Sequence, residues 1–223
     1  LRDLNPTEPE ELMFAVQTLY DIGRTDEAKQ YLQKLIDAGL DRQRLEALHR
    51  KYGSAFFFRL SRDHRMRPEG ERFAESVMDA AYEASRDPAR LAEAVKELAD
   101  ASIATRQQAI EDLRRAGDAA IAPILNALAD PERSDQHPAI VSAVTELGQT
   151  MIDPMLGALE TPDDSLRVQV VKILGEFETA RAVPFLVVPA LTGEGPPEMQ
   201  EAAAETLVRI VGEMPTRRDA ERY

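Results

Sequence analysis

Pro123, Pro154 and Pro184 recur at intervals of 31 and 30 residues, each inside an apolar window of the same make. The windows are Ile121-Ala-Pro-Ile-Leu-Asn-Ala-Leu128, Ile152-Asp-Pro-Met-Leu-Gly-Ala-Leu159 and Ala182-Val-Pro-Phe-Leu-Val-Val-Pro189. A fixed period of about 30 residues constrains the fold more than any other feature of the chain. A unit that short cannot bury its own apolar face, so it must stack on copies of itself.

Aligning the chain on these prolines places Arg106-Gln-Gln-Ala-Ile-Glu-Asp-Leu113 over His137-Pro-Ala-Ile-Val-Ser-Ala-Val144 and Arg167-Val-Gln-Val-Val-Lys-Ile-Leu174. Apolar residues there keep three- and four-residue spacing: Ala109, Ile110 and Leu113; Ile140, Val141 and Val144; Val170, Val171 and Leu174. That is the period of a helix with one buried face. Each unit is predicted to open with such a helix and to turn at Gly117, Gly148 or Glu178. A second helix then starts around the proline, where a missing N–H costs least. Pro131, Pro162 and Pro196-Pro197 interrupt the path between units. A fourth first helix is expected from Met199 to Val211, with Ala203, Ala204 and Leu207 on its apolar side. The polar run 215–223 offers it no second helix. Together with a start at Leu1 rather than at methionine, this reads as a piece of a longer protein.

The repeat resembles the HEAT family, in its short bacterial variety of about 30 residues, over about residues 102–212. The matching positions are Arg106 and Arg167 with the Ala-Ile or Val-Val that follows, Leu113 and Leu174, and the Pro-x-Leu of the second helix. The resemblance implies an all-α, right-handed α-α superhelix of antiparallel helix pairs, a solenoid whose second helices line a concave face. It also implies a noncatalytic scaffold or adaptor. The alternatives are an enzyme-assisting protein of the bilin-lyase-like or glycosylase-like kind, or an architectural spacer in a multidomain protein. Arg106 and Arg167 recur by repeat position, so their expected task is structural, bonding to carbonyls or acids of the neighbouring unit.

The first hundred residues are helical in another manner. Pro6-Thr-Glu-Pro-Glu10 starts a helix with carboxylates near its positive end. Leu12, Val16, Leu19 and Tyr20 form its apolar face and Gly23 ends it. A second helix carries Ala28, Tyr31, Leu32, Leu35 and Ile36 before Gly39. The run Leu19-Tyr-Asp-Ile-Gly-Arg-Thr-Asp-Glu-Ala28 resembles the turn of one tetratricopeptide hairpin, near residues 8–38. Further helices are predicted over 42–52, 54–62, 68–86 and 88–99. The domains are set at 1–101 and 102–223, with a soft boundary at Asp100-Ala-Ser102 and continuous stacking across it.

Composition narrows the chemistry. The formal charge is −13, and residues 101–223 hold 11 Lys and Arg against 20 Asp and Glu. Like charges repel nucleic acid and anionic lipid before contact, so neither is an expected partner. No apolar run approaches the ~20 residues that cross a bilayer. The chain has no Cys, hence no disulfide framework and no thiolate zinc site, and compartment stays open between bacterial cytoplasm and export. His49, His64 and His137 are scattered, phosphate-loop and hydrolase motifs are missing, and Asp163-Asp164 reads as a helix cap. No catalytic residue, cofactor or metal is expected.

Two features stand above this background. Residues 42–72 carry nine Lys and Arg against Glu46, Asp63, Glu69 and Glu71, a basic island in an acidic chain. Its densest part offers Arg59, Arg62, Arg65 and Arg67 as candidate binding residues for an acidic protein partner, since guanidinium clusters grip carboxylates and phosphates. The plainer reading is a solvated face paired to the chain's own acids. The other feature is Phe56-Phe57-Phe58. Consecutive helical positions span about 200°, so one ring must sit near the surface while the others supply core. The expected product is an interaction module, monomeric as it stands, with an unidentified protein partner.

Overall fold

The computed structural model describes residues 6–192 and 195–214. The fold is all-α: every regular element among the described residues is helical. The helices gather into two units, one ending at Ser85 and the other starting at Arg86.

The first unit holds α1 (Pro9–Asp21), α2 (Thr25–Asp37), α3 (Arg42–Arg62) and α4 (Glu69–Ser85). Helices α1 and α2 form the predicted hairpin around Gly23, whose φ of 78° only glycine adopts without strain. Leu12, Val16 and Leu19 of α1 share one core with Ala28, Leu32 and Leu35 of α2. Gly53 breaks α3 with φ 76° and ψ 156°, dividing it where two helices, 42–52 and 54–62, are predicted. Beyond that break Phe56 and Phe57 are buried and Phe58 is 58% exposed, so the third ring is the one left outside. The Phe57 ring lies 6.4 Å from that of Phe73 on α4. Farther along, Gly70 brings α4 against the end of α3. A Cβ there would stand 2.7 Å from the Leu60 carbonyl oxygen.

The second unit runs through α5 (Pro88–Glu97), α6 (Ile103–Ala116), α7 (Ile121–Ala129), α8 (His137–Leu147), α9 (Ile152–Ala158), α10 (Asp164–Glu176), α11 (Val183–Thr192) and α12 (Pro197–Val211). Helix α5 packs on α6 and α7, so this unit begins ahead of the boundary placed at 100–102. Asp87 caps α5 by accepting from the Arg90 N–H at 2.9 Å, with Pro88 in the first turn. Pro123 and Pro154 are the third residues of α7 and α9, and Pro184 is the second of α11. All three therefore occupy first turns, where the lost N–H has no helical partner. A short 3-10 turn leads into each of these helices: Gly117–Ala120, Gln149–Met151 and Ala180–Ala182.

The first helices α6, α8, α10 and α12 pack in sequence, each on the next. One core runs through them, taking in Ala109, Ile110 and Leu113, then Ile140 and Val144, then Val170, Val171 and Leu174, and finally Ala203 and Leu207. At the last step Gly175 of α10 lets Thr206 approach so closely that a Cβ would lie 2.9 Å from its hydroxyl. Helix α12 opens at Pro197, ahead of the predicted Met199, and closes at Gly212 in the left-handed conformation. The polar run 215–223 lies outside the described residues.

The polar struts between units differ from the expected ones. Arg106 donates to the Asp100 carbonyl at 2.5 Å, and Arg167 pairs with Asp164 one turn back in its own helix. Asp164, three residues before Arg167, is its neighbour on the helix surface. The cross-links come instead from Arg114 to the Glu146 carbonyl at 2.9 Å, from Arg181 to Asp153 at 2.5 Å, and from Arg209 to Glu176. His137, aligned with those two arginines, is buried and donates Nε2–H to the Ala127 carbonyl at 3.2 Å, joining α8 to α7.

Candidate interaction surfaces

The basic island of the first unit is largely matched by that unit's own carboxylates. Arg42 meets Glu83 at 2.5 Å, Arg50 meets Glu46 at 2.8 Å, and Arg59 lies 3.8 Å from Asp21 of α1 while covering the Tyr20 and Phe56 rings. Arg67 is 3.6 Å from Glu71. Arg65 binds Asp63 with two nitrogens, at 3.1 and 2.7 Å, and Asp63 also accepts from the Arg65 backbone N–H at 2.9 Å. These bonds hold the Asp63 carboxyl well below the usual carboxylate range, the Arg65 guanidinium foremost. Burial, followed by the Asp63 charge, pushes the Tyr20 phenol up.

Arg62 stands apart from its three companions. Its guanidinium lies 5.2 Å from the centre of the exposed Phe58 ring, and it forms no ion pair among the described residues. The structure thus spreads the four candidate arginines over different tasks. Three are engaged by carboxylates, and Arg62 sits with Phe58 on the surface.

In the second unit, a cleft of about 530 Å³ lies between α10 and α12. Val168 and Ala202 are its buried floor. Asp164, Ser165, Gln169 and Lys172 stand on the α10 wall, and Glu198, Glu201 and Glu205 on the α12 wall. The fold makes this groove for a local reason. Asp163 caps α10 by accepting from the Leu166 N–H at 3.0 Å, and Pro196-Pro197 starts α12 alongside. The Gly175–Thr206 contact then draws the helices together farther along.

The charges of the two walls are unequally satisfied. Asp164 is paired with Arg167, whereas Glu198, Glu201 and Glu205 form no ion pair among the described residues. Arg209, four residues beyond Glu205 and suitably spaced to neutralise it, is engaged by Glu176. Glu198 at least sits in the first turn of α12, where the helix dipole favours an anion. Glu201 and Glu205 have no such compensation, and like charges four apart on a helix repel by about 0.2–0.5 kcal/mol. Sequence reasoning passed over this site. The spacing of the three glutamates was visible, but their lack of partners depends on where Arg209 goes.

No family model matches the chain, and no curated protein matches it. No helix among the described residues is long and apolar enough to cross a membrane.

Proposed function

We propose that this chain is a noncatalytic protein-interaction module whose second unit is a HEAT-like stack of helix pairs. The observation that supports the reading best is the groove between α10 and α12. It joins an apolar floor to a wall of carboxylates that form no ion pair among the described residues, on helices whose inward faces are already committed to the core. The groove lies between two first helices and not on the face that the second helices are expected to line; it is open to a partner because each stacked unit contacts only its neighbours. The negative charge favours a protein partner over nucleic acid or anionic lipid.

The test is capture with the immobilised chain at physiological salt, followed by cross-linking and mapping of the linked positions. The reading expects a retained protein cross-linked to the outer sides of α10 and α12. Retention no greater than on an unrelated protein of equal negative charge overturns it.

A further inference from the structure

We infer that the groove between α10 and α12 takes an extended, basic peptide segment of a protein partner, with arginine or lysine side chains against Glu198, Glu201 and Glu205. The inference rests on the interaction reading above and names the chemistry of the occupant. Three observations converge. The lining holds four carboxylates against the single cation Lys172, so the potential selects a positive ligand. The three α12 carboxylates have no ion-pair partners among the described residues, so a ligand's cations need not displace an existing pair. Val168 and Ala202 provide apolar contact beneath, which suits a peptide carrying aliphatic residues between its charges better than a bare polycation.

Spacing sharpens the match. Glu198 and Glu205 are seven residues apart on α12, about 10 Å along the axis at ~1.5 Å per residue. A peptide in the extended polyproline II form has three residues per turn and advances ~3.1 Å per residue, so cations three residues apart share one face and span about 9 Å. Lys172 on the facing wall disfavours a further cation beside it and directs the positive side chains toward α12.

The experiment titrates the complete chain into a short fluorescent peptide bearing two arginines three residues apart with leucine and alanine between them. The signal is anisotropy. Saturable binding is expected, weakened roughly tenfold in the triple variant Glu198→Gln, Glu201→Gln, Glu205→Gln, since exposed charge pairs contribute little singly and add across three sites. A control variant, Glu111→Gln, Glu132→Gln, Glu160→Gln, removes the same charge from other exposed positions of the second unit. It should change binding by less than about twofold. Moving the two arginines to adjacent positions should weaken binding severalfold. No saturable binding by the unmodified chain, equal losses in the two variants, or indifference to arginine spacing would each overturn the inference. If the Gln variant instead retains the captured protein at the α10–α12 surface while the peptide fails, the groove's chemistry is wrong and the interaction reading survives.

Discussion

Replacing Glu178 with glycine should stabilise the second unit, and the repeat says why. Glu178 occupies the place held by Gly117 and Gly148 in the preceding units, and the backbone has positive φ at all three: 56°, 97° and 48°. Helix α10 finishes at Glu176, Phe177 is its C-cap, and the Glu178 N–H donates to the Gly175 carbonyl at 3.0 Å. That is the position just past a helix end where glycine is favoured. A side chain with φ in this region costs about 1–2 kcal/mol through contact of Cβ with the backbone. Glycine returns about 0.5–1 kcal/mol of this as extra freedom in the unfolded chain. The remainder is a gain of roughly 0.5–1 kcal/mol, which for a unit of this size raises the melting temperature by about 2–5 °C. Thermal and urea unfolding followed by circular dichroism would read it. Glu178→Gln, which retains Cβ and discards the charge, should stay within about 0.5 kcal/mol of the original. A neutral or destabilising Glu178→Gly, or an equal gain in Glu178→Gln, would refute the backbone argument and with it the equivalence of the three turns.

Other outcomes follow from packing and charge in the first unit, each measured by urea unfolding. Phe57→Ala should lose about 3–5 kcal/mol from a fully buried ring, while Phe58→Ala, two-fifths covered, should lose far less; equal losses would contradict the assigned faces. Gly70→Ala should destabilise by about 1–3 kcal/mol, because its Cβ meets the Leu60 carbonyl, which moves only with the backbone. Asp63→Ala should lose about 1 kcal/mol or more near neutral pH, where the cap and the Arg65 pair are both intact. Because folding depresses the Asp63 pKa, its contribution is complete above the ordinary value near ~3.9 and fades as pH falls through the lower folded value. The gap between variant and original should therefore narrow on acidification, and a gap that widens would reject the ion pair.

Much of the architecture was written in local chemistry. The proline period located three second helices, since each proline must fall where its missing N–H is harmless. The gap between the predicted helices 42–52 and 54–62 falls where Gly53 breaks α3, and Asp163 announced a helix start that its side chain does cap. What required tertiary structure was partner choice. Recurrence pointed to Arg106 and Arg167 as struts, yet Arg114, Arg181 and Arg209 fill that role, because reach across a helix pair depends on packing. The basic island was open to two readings in one dimension, a binding site or a face paired to the chain's own acids, and only the fold sets Asp21 and Glu83 beside Arg59 and Arg42. The groove was hidden for the converse reason. Glu201 and Glu205 became notable only once α10 had taken Arg209 away from their helix.

Hydrogen exchange along the whole chain, with and without the arginine-spaced peptide at saturation, tests the central claim most directly. Slowed exchange is expected in the segments that wall the groove, residues 164–172 and 196–205, and nowhere in the first unit. Protection confined to the basic island around Arg59, Arg62, Arg65 and Arg67, or absent from both walls, would contradict the assignment of this surface as the place where the protein meets its partner.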